Sequence, residues 1–372
     1  MTRREPLAAG SSAPPSEIYD VALLDLDGVV YVGPDAVPGV PEALAVARTA
    51  GMRLGFVTNN AARTPTDVAD HLTALGVPAV SDDVITSSQA AATVVSGLLA
   101  PGARVLSVGG PGVAAALTAA GLVVVSRAEQ EPAAVVQGYG PEVGWVHLAE
   151  AIVAVRNGAR HVATNLDATI PSPRGPLPGN GAMVGVVTAI TGEEPLVTGK
   201  PDPAMHAECV RRTGARRPLV VGDRLDTDIE GASRAGAASL LVLSGVTEPR
   251  TLVAARPDHR PDLLSADAAG LLTAHPAVVA DGQRHRCGRW TVGPAEAEDA
   301  LILEAEGTEG TEGGDGPDGG DDGDGLDGLR ALCVAHWARH PADGAPARVI
   351  ARGERAAAAL DGWGLVPDGT AA

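Results

Sequence analysis

The sequence predicts an α/β protein with a Rossmann-like parallel-sheet core, an inserted α/β cap domain and a small C-terminal α/β extension. Three observations lead there. Apolar runs of strand length alternate with segments of helical spacing joined by short links, the pattern of parallel strands with right-handed crossovers. The alternation holds more strands than one small sheet accommodates, so a second α/β unit sits inside the first. Past about Leu272 the texture changes to shorter apolar runs broken by a glycine-rich acidic stretch.

In chain order, residues 1–17, rich in Pro, Ser and Ala, read as a disordered arm. VALLDLDGVV from Val21 reads as a buried strand ending in carboxylates. PEALAVARTAG then carries helical spacing and stops at Gly51, a C-terminal cap. MRLGFVTNN is a second strand, and TPTDVADHLTALG a helix with Thr64 or Thr66 as N-cap. RVLSVGG, GLVVVS, AAVVQGY and HVATN continue the strands, with HLAEAIVAVRNG among the helices between them. RPLVVGD, DIEGASRAG and ASLLVLSG close the alternation. The core is therefore assigned to 18–86 and 192–272, the cap to 87–191 and the extension to 273–372. RHRCGRWTVG and ALILEAEG are candidate strands in the extension, and LDGLRALCVAHWARH a candidate helix. Residues 304–328 carry ten acidic residues and no basic one, with almost nothing apolar to bury, and read as a disordered acidic loop. DDGDGLDG begins like an EF-hand calcium loop, but Leu326 takes a ligand position and no Glu closes it, so the segment reads as solvated linker.

Composition excludes several functions. A net charge of −18 over 372 residues argues against a nucleic-acid-wrapping surface or a basic membrane-binding face, both of which need clustered Lys and Arg. Four Trp, three Tyr and one Phe leave few platforms for stacking bases. No apolar run approaches the ~18 residues of a membrane span, and the opening stretch lacks an apolar signal-peptide segment. Cys209, Cys287 and Cys333 are odd in number and far apart, which fits a reduced, cytoplasmic protein. Among 28 basic residues there is a single lysine, Lys200. A lone ammonium in a chain that otherwise uses Arg marks a position where the planar guanidinium does not serve.

Four segments carry the chemistry: Asp25 and Asp27 in DLDG, Thr58 with Asn59 and Asn60 at the end of the second strand, Lys200 in TGKPDP, and Asp223 with Asp228 in GDRLDTD. Loops following the carboxyl ends of parallel strands share one edge, where ligands bind. Asp25, Asp27 and Asp223 make a hard oxygen site suited to Mg²⁺. A carboxylate can attack phosphorus, and a second carboxyl two residues on can protonate the leaving alkoxide and then activate water. Thr58, the Asn59 N–H and the Lys200 ammonium suit the remaining phosphoryl oxygens. Asp226 or Asp228 can alternatively cap the following helix. His147 and His161 lack metal-like spacing and read as structural.

With these motifs in this order, the chain from about Ile18 to Leu272 resembles the haloacid dehalogenase superfamily of phosphatases, in the subclass with a large α/β cap. The resemblance implies Asp25 as nucleophile and Asp27 as general acid/base. It implies Mg²⁺, or another divalent ion such as Mn²⁺ or Co²⁺, held by the Asp25 carboxylate, the Asp27 carbonyl and Asp223, with Asp228 in support. It puts Thr58, Asn59 and Lys200 on phosphate, with Asn60 shaping that loop. TNLDATIPSPRGPLPGNGAMV is similar to the cap segment of this subclass, with Leu166 where Pro is frequent. There Asp167 and Arg174 either face the substrate or belong to a turn closing a strand onto a helix. The whole chain resembles the actinobacterial glycerol-3-phosphate phosphatases, whose tail is similar to an acetyltransferase fold. RGERAAA offers one glycine where a pyrophosphate turn needs two, so the tail is expected to stabilise or interact rather than catalyse. The implied function is Mg²⁺-dependent hydrolysis of a small phosphate ester, glycerol 3-phosphate first, with 2-phosphoglycolate, 4-nitrophenyl phosphate or a nucleotide as alternatives. A non-catalytic phosphate-binding protein and a phosphotransferase are the competing classes. No nucleic-acid or membrane partner is expected, and homodimerisation is left open.

Overall fold

The strand Val21–Leu24 is buried at all four positions, as a run of apolar residues covered on both sheet faces should be. In the computed structural model, which describes residues 6–170, 172, 174–296, 299–306 and 324–365, this strand is shared between two compact units. One comprises Met1–Ala22, Asp27–Met52 and Leu219–Ala372; the other Leu23–Leu26 and Arg53–Pro218.

In the first unit the strands Leu263–Ser265, Ala238–Val242 and Pro218–Gly222 lie side by side and parallel, with Leu219 opposite Ala238 and Leu240 opposite Leu263. The helix Val40–Thr49 ends before Gly51, whose φ of +98° supplies the left-handed turn that side chains resist. Ahead of that helix stands a two-stranded hairpin, Tyr31–Val32 with Asp35–Ala36, too short for a period to reveal in the sequence. The C-terminal part of this unit is a five-stranded sheet in the order Val279–Asp281, Arg284–Cys287, Trp290–Pro294, Ala300–Ala305, Arg348–Arg352. All of its pairs are antiparallel except the last, which is parallel. The helix Asp327–Arg339 lies in the crossover connection that a parallel pair requires. Leu329, Leu332 and Trp337 of this helix join Leu241, Leu252, Val253 and Leu264 in one apolar cluster, and Trp337 donates its indole N–H to the Val253 carbonyl at 2.9 Å. The extension thus shares its core with the strands ahead of it.

Two expectations of disorder need correction. Residues 6–17 of the arm are ordered: Leu7 is buried, Ser11 N–H donates to the His275 carbonyl at 2.8 Å, and His275 N–H donates back to Ser11 Oγ at 2.8 Å. The arm lacks apolar residues to form a core alone, but backbone pairing with 275–278 satisfies it from outside. Both ends of the acidic stretch are ordered too. Glu304 lies in the strand Ala300–Ala305 and pairs with Arg352, while Asp324 pairs with the buried Arg330. Residues 1–5 of the arm and 307–323 of the stretch lie outside the described residues.

In the second unit the strands Arg53–Thr58 and Val84–Thr86 run parallel. The helix Pro65–Ala74 begins at Thr64, not Thr66: Thr64 Oγ1 accepts from Asp67 N–H while the Asp67 carboxylate accepts from Thr64 N–H, a reciprocal cap. The segment 87–191 contributes most of a five-stranded, wholly parallel sheet in the order Leu196–Val197, Arg160–Ala163, Ala134–Gln137, Arg104–Val108, Val123–Val125. Its edge strand, Leu196–Val197, lies beyond the boundary expected at 191. Ser87–Leu98, Pro111–Ala119, Trp145–Arg156 and Asn180–Thr191 are the α-helices of this segment among the described residues.

Candidate active site

The first unit carries Asp27, Asp223 and Asp228. Asp223 and Asp228 follow the strand Pro218–Gly222, and both are 1% exposed. Asp223 Oδ2 accepts from Val246 N–H at 2.8 Å, and its carbonyl accepts the Thr247 hydroxyl at 2.6 Å. Two glycines make this placement possible. A Cβ on Gly245 would stand 2.1 Å from Asp223 Oδ2, and one on Gly28, where φ is +85°, would stand 2.4 Å from it. Ser244 Oγ donates to the Gly28 carbonyl at 2.6 Å and ties the two glycine loops together. Asp228 packs on Gly222, whose missing Cβ leaves it room, and Asp228 Oδ2 accepts from Arg224 N–H at 3.2 Å. Leu225–Ile229 form a turn of π-helix in which Ile229 N–H reaches back to the Arg224 carbonyl; such turns are rare and cluster at functional sites. Asp226 points outward against Arg224 at 2.9 Å. Asp27 is exposed and bridges to Tyr31 through its backbone.

The second unit carries Asp25, Thr58, Asn59, Asn60, Lys200, Asp167 and Arg174. Lys200 Nζ lies 2.8 Å from Asp25 Oδ1, with the two side chains 10% and 14% exposed. Thr58 is buried, and its Oγ1 accepts from Asn60 N–H at 3.0 Å, which leaves the hydroxyl proton to donate elsewhere. Asn60 Oδ1 accepts from Ala62 N–H at 2.9 Å and so shapes the turn. The sequence expectation concerned the Asn59 backbone N–H; the Asn59 side chain is engaged with the Lys200 loop. Its Oδ1 accepts from Lys200 N–H at 2.9 Å, and its Nδ2 donates to the Lys200 carbonyl at 3.1 Å and approaches the Asp167 carboxylate at 3.4 and 3.5 Å. Asp167 therefore stands beside the Lys200 loop. Arg174 is exposed in a turn, its N–H donating to Ser172 Oγ at 3.1 Å. Burial pushes the Cys209 thiol up to about 12, against the opposing charge of Lys200, so it offers no rival nucleophile. His161, which burial holds below the usual imidazole range, faces Gln137 at 3.0 Å and is structural.

Sequence reasoning gave no role to Gly28 and Gly245, or to Asn165, Asn180 and Ser87, which support Asn59. Asn165 and Asn180 lie within the quoted cap segment, but nothing local in that segment shows what their amides reach.

Comparison with known proteins follows the same lines. The model described as "Haloacid dehalogenase-like hydrolase" matches residues 22–123, a second hydrolase model of that superfamily matches 197–271, and a GCN5-related N-acetyltransferase-like domain matches 287–365. The D-glycerol 3-phosphate phosphatase of Mycobacterium tuberculosis is 42% identical over 350 residues, 94% of this chain and 95% of that protein. Crystal structures of the glycerol phosphate phosphatase from that organism, with calcium and with magnesium, superpose with TM-scores of 0.84 and 0.82 over 95% of this chain and 99% of theirs. The acid sugar phosphatase of Staphylococcus aureus is 38% identical over 231 residues, 62% of this chain and 88% of that protein. A core of parallel strands ending in Asp25 and Asp223, a lysine laid against the first of them, and likeness of this extent to phosphatases agree: the chain belongs to the haloacid dehalogenase-like hydrolases, as a phosphoric monoester hydrolase.

Proposed function

We propose that this protein hydrolyses glycerol 3-phosphate to glycerol and inorganic phosphate, with Mg²⁺ as cofactor and Asp25 as nucleophile. The observation that carries the substrate is the length of the likeness. The D-glycerol 3-phosphate phosphatase matches 94% of the chain, through the C-terminal extension, whereas the acid sugar phosphatase matches 62%. Buried, free cysteines at 209, 287 and 333 support a reducing, cytoplasmic setting.

An Asp25 carboxylate oxygen attacks phosphorus as the ester P–O bond breaks, and Asp27 gives its proton to the departing glycerol oxygen. Asp27, now ionised and exposed to solvent, takes a proton from water, which attacks the aspartyl-phosphate and frees phosphate and Asp25. The Lys200 ammonium, already against Asp25, balances the charge that spreads over the phosphoryl oxygens. The Thr58 hydroxyl donates to one of those oxygens.

The donors fit a magnesium ion. Asp25, Asp223 and Asp228 are all hard carboxylate ligands with no nitrogen or sulfur among them, and Gly28 and Gly245 leave bare backbone against Asp223. When bound, Mg²⁺ would be held by these carboxylates and would neutralise charge on the phosphoryl group.

The test is phosphate release from glycerol 3-phosphate, a set of sugar phosphates, 2-phosphoglycolate and 4-nitrophenyl phosphate, with Mg²⁺ and with chelator. Glycerol 3-phosphate is expected to give the highest kcat/KM, lost on chelation. A sugar phosphate turned over tenfold better would overturn the substrate, and no release from any ester would overturn the reaction.

A further inference from the structure

The phosphate expectation at Asn59 concerns its backbone N–H, and its side chain has a separate engagement. Both ends of its amide are spent on one neighbour: Oδ1 takes the Lys200 N–H and Nδ2 gives to the Lys200 carbonyl. The donor and acceptor directions of those backbone groups fix which way the amide faces. Gly199 permits the approach, since a Cβ there would stand 2.6 Å from Asn59 Oδ1 and 2.2 Å from the Thr164 carbonyl. Asn59 is itself held from behind. Its carbonyl accepts from Ser87 Oγ at 2.7 Å and from Asn165 Nδ2 at 2.7 Å. Asn165 Oδ1 takes the Asp167 N–H at 3.1 Å, and the Asn165 carbonyl takes Asn180 Nδ2 at 2.8 Å. Asn165 and Asn180 are each 2% exposed, so these bonds are shielded from competing water.

We infer that Asn59 is a positioning residue, which fixes the Lys200 backbone so that Nζ meets Asp25, and that Asn165 and Asn180 brace it from the cap segment. The ladder runs Asn180, Asn165, Asn59, Lys200, Asp25, each link a hydrogen bond or ion pair. A four-carbon lysine stem has many rotamers, and a point charge is useful only at one place. Clamping the backbone on both sides of its Cα fixes where that stem starts and which way it leaves the loop, and the ion pair with Asp25 then selects among its rotamers. The inference rests on the reading of Lys200 as a phosphate contact.

The test is a double-mutant cycle on the full chain with Mg²⁺, read as kcat/KM for 4-nitrophenyl phosphate and as the Kd of inorganic phosphate by calorimetry. Asn59→Ala is expected to cut kcat/KM by ten- to a hundredfold and to weaken phosphate binding. In the Lys200→Ala background the same change is expected to cost less than threefold, because there is no ammonium left to place. Asn165→Ala should follow the same pattern with a smaller loss. Thermal melting of all variants shows that they fold, and any Tm loss should be the same in both backgrounds. If Asn59→Ala costs as much without the lysine as with it, Asn59 acts by another route and the inference is overturned. If Lys200→Ala alone leaves kcat/KM unchanged, it is the function reading that fails, which separates the two.

Discussion

The loop bearing Lys200 and the loop bearing Asp223 are held by opposite means. Lys200 is flexible and charged, and side chains hold it: the Asn59 amide brackets its backbone, and Asn165 and Ser87 bracket Asn59. Asp223 is short, and the absence of side chains holds it: Gly28 and Gly245 bring bare backbone against its carboxylate, and Val246 N–H fixes one oxygen. The difference follows from the groups. A long cation has to lose rotamer entropy to one geometry, so it needs added contacts. A carboxylate with one methylene is already short of freedom and needs space on the remaining side, which glycine leaves. The two loops should therefore fail differently, one through lost clamps and the other through added atoms.

Asp25, the proposed nucleophile, precedes both loops in the chain, and removing it should outweigh any damage to either loop. Asp25→Asn is expected to lower phosphate release by at least about a thousandfold, since an amide is a poor nucleophile and a weak metal ligand. Circular dichroism should remain that of the parent, and near-normal turnover would exclude an aspartyl-phosphate. Next is the loop that fails by added atoms. Gly245→Ala places a methyl where Asp223 Oδ2 stands, so the Mg²⁺ concentration for half-maximal activity is expected to rise at least tenfold. An unchanged metal titration would mean that the loop yields and the glycine is not needed.

The clamped loop is probed by a change that keeps charge. Lys200→Arg should cut kcat/KM by about tenfold or more, because the wider guanidinium cannot occupy the ammonium's point against Asp25, whereas a surface ion pair would tolerate it within ~1 kcal/mol. Full activity would return Lys200 to the status of an ordinary ion pair. The smallest effect expected is on stability against acid. Burial pushes the Asp324 carboxyl up, but the Arg330 hydrogen bond and charge outweigh it and hold the group below the usual carboxylate range. Glu230, buried among His259, Arg234 and Arg256, is likewise held low, and burial holds His275 below the usual imidazole range. All three bind fewer protons folded than unfolded, so the stability they contribute is present at neutral pH. It is lost first below pH 6.5 through His275 and then below about 4 through the carboxylates. Tm should fall by a few degrees from pH 7 to pH 5 and more steeply below pH 4. A flat profile would contradict this.

Local features were readable where a local rule governs them. The alternation of apolar runs and helical spacing foretold the strands Val21–Leu24, Arg53–Thr58 and Pro218–Gly222. Thr64 was a cap candidate because a hydroxyl before a proline-led turn can take an orphan N–H. The solitary lysine stood out on composition, and it lies against Asp25. The arm at 6–17 was misread, because the backbone partner that orders it, 275–278, is more than 250 positions away and leaves no mark on the arm's own composition.

The sequence by itself determined the parallel α/β class, the order of the acidic, hydroxyl and lysine motifs, and the change of texture that marks the extension, since each depends on neighbours a few residues apart. Only the tertiary structure decided that Asn59 spends its amide on the Lys200 backbone and that Asn165, 106 positions away, braces it. The same holds for Gly245, which has to be bare because Asp223 lies against it, and for Arg330, which pins Asp324 and the Leu264 carbonyl at once. Hydrogen bonds and close packing act over ångströms of space whatever the separation along the chain, so nothing in the spacing of these residues could announce them.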